Sequence, residues 1–240
     1  MTHFIRRTDP MVVHAVIQIA TLDSSGSPDG IPIPRVRSQI FRSFLSFPDT
    51  PSLPLLISST DVRTPKVTQL ITSSNKSEVV WWIEGTHQQF RFIANVYIVP
   101  EPRHHLYDYF LREVGREVNV ASFKEVNWEK KRVELFRGMS EHMRASWCRP
   151  TPGTKLEEGQ KAAKMWPEKL IEPDESIDNK EYETTKRLWD TALANFAIMV
   201  INPIEVDFID LGVIPNFRSV FTKRLFDGGG VEWVEEEVVP

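Results

Sequence analysis

The stretch Leu55-Leu-Ile-Ser-Ser-Thr-Asp-Val-Arg-Thr-Pro-Lys66-Val-Thr-Gln-Leu70 reads as a short strand, a polar turn and the start of a helix. Leu55 to Ser59 opens it as strand three. Ser58, Ser59, Thr60 and Asp61 then cluster as the chain turns polar. Thr64-Pro65 reads as an N-cap followed by proline at the first helical position, where the missing amide proton costs nothing. Lys66, Leu70 and Ile71 keep helical spacing, and the helix is expected to run from Thr64 to about Ser73. A strand that enters a hydroxyl-rich turn and then a helix N-terminus is an anion site in outline. Free amides, the positive end of the helix dipole, Arg63 and Lys66 would converge there. Taken alone, the stretch is equally a solvated turn capping an ordinary helix.

What flanks this stretch decides the fold. Upstream, Val12 to Leu22 is β-branched and apolar and is followed by the turn-rich Asp23 to Gly30. Val36 to Phe47 alternates as a second strand, antiparallel to the first. Pro48 to Pro54 reads as a proline-rich loop. Downstream, Glu78 to Ile83 is a fourth strand and Glu84 to His87 a turn. Gln88 to Val99 is a fifth strand of clear period two, with Phe90, Phe92 and Ala94 on one face and Gln89, Arg91, Ile93 and Asn95 on the other. Arg103 to Val118 and Asn127 to Cys148 carry helical periodicity. Thr154 to Lys186 is a polar, proline-punctuated excursion with helical pieces at most. Asn195 to Pro203 reads as a strand ended by proline, and Glu205 to Leu211 as another. Arg218 to Phe226, the Gly228-Gly-Gly230 turn and Val231 to Val239 read as a closing hairpin. Strands and helices therefore do not alternate. The expectation is an α+β chain, mainly β with helices: one domain over residues 1–240 built on an antiparallel barrel, with residues 154–186 as an excursion from it.

Composition narrows the class. The chain has 240 residues, 41% hydrophobic and 26% charged, which suits a globular protein with a substantial core. The formal net charge is −4, so no general electrostatic case for nucleic acid exists. A lone cysteine, Cys148, excludes a disulfide framework within one chain and fits a reducing compartment. No run approaches the roughly 18 apolar residues of a membrane span. The N-terminus lacks a signal-peptide core, so the expected location is cytoplasmic. Zinc-ligand spacings, GxGxxG and GxxxxGK[ST] do not occur.

Three segments place polar residues where a strand would more cheaply carry apolar ones: Arg37-Ser-Gln-Ile-Phe-Arg42, then Ser59-Thr60 with Arg63, Thr64 and Lys66, then Gln88-Gln-Phe-Arg91. Adjacent antiparallel strands could bring Arg37, Arg42, Lys66 and Gln89 together. Such cationic crowding is unfavourable without an anion, and a phosphate suits it. Singly, each arginine is explained as a solvated surface charge. His104, His105 and His142 read as solvated or partly packed helix residues, and His87 as a turn residue beside Gln88. Cys148 reads as packed, and Glu235 to Glu237 as a solvated edge.

These segments resemble the pyridoxamine 5′-phosphate oxidase-like FMN-binding split-barrel family, more closely its eukaryotic and cyanobacterial branch. The family's Arg-x-x-x-x-Lys/Arg strand is matched by Arg37, Ser38, Gln39, Ile40, Phe41 and Arg42. Its Thr-Asp-x-Arg-Ser-x-Lys turn is matched by Thr60 to Lys66, with Thr64 for serine. Its Gln-hydrophobic-Arg motif is matched by Gln89 to Arg91. Trp128, Arg132, Met139-Ser140, Arg144 and Pro152-Gly153, then Asn195-Phe196, Asp210 to Gly212, Arg218 and Trp233, extend the likeness along the chain. The resemblance implies a six-stranded split barrel, a homodimer with two FMN sites at its interface, and a flavin-dependent oxidoreductase acting on a small substrate. It implies that Arg37 to Arg42 contact the phosphate and ring edge, and that Ser59 and Thr60 lie against the ring or ribityl chain. Thr64 and Lys66 would bind the phosphate, with Arg63 able to approach it. Gln89 would hydrogen-bond the ring system, and Arg218 would reach in from the partner. The chain departs from the oxidases in having Thr64-Pro65-Lys66 where they have Ser-Arg-Lys, in Ile209 where they have tryptophan, and in lacking an Arg-Leu-His motif. These departures bear on pyridoxine phosphate oxidation more than on flavin binding. A non-catalytic dimer holding flavin or another anionic ligand in the same pocket stays open as the alternative.

Overall fold

The computed structural model describes residues 16–25, 29–48, 50–116, 121–157, 159–176, 179–226 and 230–240. Eight strands form one antiparallel sheet: β1 (Val16–Asp23), β2 (Ile33–Phe47), β3 (Thr50–Asp61), β4 (Lys76–Ile83), β5 (Gln88–Val99), β6 (Phe196–Asp210), β7 (Phe217–Leu225) and β8 (Val231–Glu237). Their order is β3-β2-β1-β4-β5-β6-β7-β8, and β3 also pairs with β6. That extra pairing closes β1 to β6 into a six-stranded ring, as expected of a split barrel, and β7 and β8 continue from β6 as a hairpin.

Period two explains the ring's interior. Ile17 and Ile19 of β1, Val79 and Trp81 of β4, Phe90 and Phe92 of β5 and Val206 and Phe208 of β6 are buried in one apolar cluster. Helix α1 (Pro65–Thr72) seats Val67 and Leu70 in that cluster, so its apolar edge plugs the ring. Each fully buried side chain of this size is worth roughly 1.5–3 kcal/mol over its exposed state.

A second cluster covers one outer side of the ring. Ile57 of β3, Tyr97 and Val99 of β5 and Ile198 and Val200 of β6 pack against helices α2 (Tyr107–Arg116), α3 (Ala121–Glu125), α4 (Trp128–Arg137), α5 (Glu141–Ala145) and α7 (Asn179–Asn195). A short α6 (Gln160–Ala163) lies between α5 and α7. Among the described residues the opposite outer side carries no helix. It presents Val16 and Leu22 of β1, Val36 of β2, Trp82 of β4 and Ile93 of β5, all exposed and all on the outward parity of their strands.

Several boundaries differ from expectation, among them the start of α7 inside the expected 154–186 excursion, and three have a clear physical reason. The proline-rich loop before Leu55 is instead the start of β3 at Thr50. Its pairing with β6 begins only at Leu56, so Pro51 and Pro54 fall where no ladder from β6 has to be completed. The two predicted strands on either side of Pro203 are one strand, β6. The proline sits beside a register shift opposite Ile93 and Ala94, between the end of the β3 pairing at Ile201 and the start of the β7 pairing at Glu205. The single helix expected from Asn127 to Cys148 is two. It stops at Gly138, and Ser140 starts α5 by accepting the Met143 amide at 3.2 Å. Residues 12–15 of the first predicted strand, residues 117–118 of the first predicted helix and Gly228-Gly229 of the turn lie outside the described residues.

Candidate anion-binding cavity at the rim of the ring

The turn between β3 and α1 is held by its own carboxylate. Asp61 accepts the Arg63 amide at 2.9 Å and the Arg63 guanidinium at 3.0 and 2.7 Å, so these two charges neutralise one another. The Thr64 hydroxyl donates back to the Asp61 carbonyl at 2.8 Å and lies 3.4 Å from the Thr60 hydroxyl. Thr64 occupies the N-cap position, yet its side chain makes no cap hydrogen bond to the helix.

Beside this turn β2 bulges between Phe41 and Ser43. Lys66 Nζ donates to Gln39 Oε1 at 2.9 Å, and Gln39 Nε2 donates to the Ser59 carbonyl. Arg42 lies across the same space, with Nε 3.3 Å from Ser59 Oγ and Nη2 2.9 Å from Met143 Sδ. Burial pulls the Lys66 ammonium down to about 8, and the positive charge of Arg37 adds to the effect. Burial also lowers Arg42. Two cations that line one cavity are thus partly stripped of water, an arrangement that favours a bound anion.

A cavity of about 740 Å³ opens here. Gln39, Ile40, Arg42, Ser59, Thr60 and Lys66 line one wall. The other wall comes from the helical arm: Met143, Ser146, Trp147, residues 149–157 and Trp166. Sequence reasoning misses this second wall. Its one signal is the run Trp147-Cys-Arg-Pro-Thr-Pro-Gly153, which by itself reads as a helix stop. Trp147 Nε1 donates to the Thr60 carbonyl at 3.3 Å, and Asn195 Nδ2 to the Trp147 carbonyl at 2.9 Å, so α7 and β3 jointly fix that wall.

The remaining candidates lie elsewhere. Arg37 donates to Thr21 Oγ1 at 2.6 Å and to Gln69 Oε1 at 2.9 Å, on the β1 side of α1. Ser38 pairs with Gln18 on the bare outer face. Phe41 packs against Phe44 and Trp81, with ring centroids 4.7 and 4.9 Å away. Arg63 and Thr64 support the turn from outside the lining. Gln89 and Arg218 sit across the ring: Gln89 pairs with Ile209, and Ile209 with Arg218, in one row on the bare outer face. Of the four groups expected to meet, Arg42 and Lys66 line the cavity, Arg37 stands outside the lining but close enough to lower Lys66, and Gln89 lies apart within one copy. Arg218 is instead bonded to Asp207 at 3.0 and 2.9 Å, and Arg91 shares that carboxylate.

Residues 2–100 match the family model described as pyridoxamine 5′-phosphate oxidase, FMN-binding domain. The match ends where β5 ends and contains the whole strand–turn–helix cradle. Among solved structures the chain is similar to a pyridoxamine 5′-phosphate oxidase-related, FMN binding protein from Nostoc punctiforme PCC 73102. That likeness has 22% identity and a TM-score of 0.63, and covers 100% of this chain and 95% of the other. It is also similar to PhzG from Burkholderia lata 383, at 16% identity and a TM-score of 0.46, covering 100% and 87%. No curated protein matches the chain significantly. The chain thus resembles the pyridoxamine 5′-phosphate oxidase FMN-binding domain over residues 2–100 and shares the fold of the Nostoc protein. Among the described residues no helix is long and apolar enough to cross a membrane, and no group of histidine, cysteine and carboxylate side chains could hold a metal ion.

Proposed function

We propose that this protein binds FMN in the rim cavity and acts as a homodimeric flavin-dependent oxidoreductase on a small substrate. One observation carries the proposal: the desolvated pair Arg42 and Lys66 lines a cavity that also offers the Ser59 and Thr60 hydroxyls. A phosphate monoester supplies the negative charge that the neutral acceptors Gln39, Ser59 and Met143 do not. The volume falls within the usual range of cofactor pockets, and Trp147 and Trp166 give apolar walls for a flat ring. The residues present therefore fit FMN.

Bound there, a flavin would supply two-electron chemistry that no side chain can perform. The chain's own part is to bind and orient. Lys66 and Arg42 hold the anionic end, and Gln39 fixes the Lys66 ammonium from behind. The lining carboxylates are Asp61, tied to Arg63, and Glu157 at the exposed rim. Neither is placed as a buried acid–base group, which suits hydride transfer and equally suits storage of a flavin.

The bare outer face supports a dimer. Val36 is 68% exposed, Ile93 42% and Trp82 37%, and the Gln89–Arg218 row runs alongside. A second copy packed on this face would cover the apolar side chains and carry Gln89 and Arg218 toward the other cavity.

The test is the absorption spectrum of the purified protein, followed by FMN titration. Bands near 370 and 450 nm (roughly, as for flavins generally) support the proposal. A protein that is colourless and has no affinity for added FMN sinks it. Turnover of bound FMN with NADPH, pyridoxamine phosphate or oxygen separates the enzyme from a flavin-holding protein.

A further inference from the structure

We infer that Arg149 is a third anion ligand of the cavity, reaching it from the helical arm. The inference rests on the FMN reading and extends it to a residue outside the N-terminal cradle.

Arg149 lines the cavity with Arg42 and Lys66. Its Nε is buried and has no hydrogen-bond partner among the described residues. A buried guanidinium nitrogen left without an acceptor costs about 1–3 kcal/mol or more, so native structures rarely keep one without reason. The guanidinium is nevertheless held in place. Its central carbon lies 5.6 Å from the centre of the Trp166 ring, a cation–π contact that anchors the side chain at the cavity wall. The backbone is fixed as well, since Arg63 Nη2 donates to the Arg149 carbonyl at 3.0 Å. The same Arg63 neutralises Asp61, the carboxylate of the turn, so Asp61 is not the acceptor Arg149 lacks.

The loop that follows Arg149 packs against α1. Gly153 has a φ of +88°, and a Cβ there would stand 3.7 Å from the Pro65 ring. Four residues beyond Arg149, the arm therefore touches the first turn of α1 at Pro65. Three cations carried by three separate elements, β2, α1 and the arm, line the cavity. That suits a tetrahedral dianion better than a planar carboxylate, which one bidentate arginine can satisfy.

The experiment is equilibrium binding of FMN and of riboflavin, which lacks the phosphate, to the native protein, Arg149→Gln and Arg149→Lys. Flavin fluorescence reports binding, and thermal melts confirm folding. A charge-assisted hydrogen bond predicts about a tenfold or greater loss of FMN affinity in Arg149→Gln. Riboflavin affinity should change little, and Arg149→Lys should fall in between. Unchanged FMN affinity in a folded Arg149→Gln overturns the inference. So does an equal loss for FMN and riboflavin, which would mean a packing role. Should the native protein bind no flavin, the FMN reading fails separately. The melts with inorganic phosphate then decide: stabilisation in the native protein that Arg149→Gln loses supports the anion ligand, and no phosphate effect in either overturns it.

Discussion

Lys66 and Gln39 are joined at 2.9 Å, and Gln39 passes the contact on to the backbone of β3 at Ser59. A helix lysine, a strand glutamine and a neighbouring strand are thereby coupled at the rim of the ring. The ammonium is positioned before any ligand arrives, at the cost of its own solvation.

That cost makes binding pH-dependent. A bound phosphate would keep Lys66 charged, whereas the free protein loses the proton above about 8. FMN affinity should hold to about pH 8 and then weaken by up to about one log unit per pH unit. Titrations at fixed ionic strength test this, and Lys66→Met should flatten the curve above pH 8 while weakening binding below it. A flat profile in the native protein from pH 7 to 9.5 counts against the assignment. The sign for the unliganded fold is opposite. The unfolded chain binds more protons between about 8 and the ordinary lysine value of 10.5, so stability should rise with pH in that window.

Arg132 should prove the most costly charged side chain to remove. It is 1% exposed and binds the Leu193 carbonyl, the Phe196 carbonyl at 3.1 Å and the Glu129 carboxylate at 2.7 Å. It thus ties α4 to the end of α7 and the start of β6. Arg132→Met should cost roughly 3–5 kcal/mol in urea denaturation, because both carbonyls and Glu129 lose their partner. Adding Glu129→Leu should restore part of it. A loss under about 1 kcal/mol would show that the contacts are dispensable.

If two copies pair on the bare face as proposed, a charge there should separate them. Ile93→Glu or Trp82→Glu is expected to give a monomer by light scattering, with weaker FMN binding because Gln89 and Arg218 no longer arrive. A native protein that is monomeric yet binds FMN tightly would refute the dimer.

Asp207 is held below the usual carboxylate range, chiefly by the hydrogen bond from Arg218 and further by Arg91. A depressed carboxyl stabilises the fold above its unfolded value and loses that contribution as pH falls through its folded value. Asp207→Asn should therefore unfold less steeply in acid below about pH 4 than the native protein. Identical acid profiles would mean the pair is too solvated to matter.

Much of this was legible in the residues, and the failures have physical causes. The alternation of Phe90, Phe92 and Ala94 defines β5, because period two leaves no other face for them. Thr64-Pro65 marks the start of α1 although the threonine makes no cap bond, since proline fixes the first turn regardless. Pro51, Pro54 and Pro203 misled because a proline forbids a strand only where the ladder needs its amide, and partner strands are invisible in one sequence. The cradle residues on β2, β3 and α1 were readable as a cluster because they are close along the chain. The opposite wall, from Met143 to Trp166, lies some hundred positions beyond Arg42, and only the fold brings it there.

The ring's closure has a further consequence for how the chain must be made. β3 ends at Asp61 and β5 at Val99, yet the strand that pairs with both, β6, starts at Phe196. During synthesis the cradle and five strands emerge with two naked edges, and they wait for almost a hundred residues before either edge is satisfied. Naked edges recruit strands from other chains. A fragment ending at residue 100 would thus hold every cradle motif and still aggregate, because what solubilises it is encoded in the last fifth of the sequence.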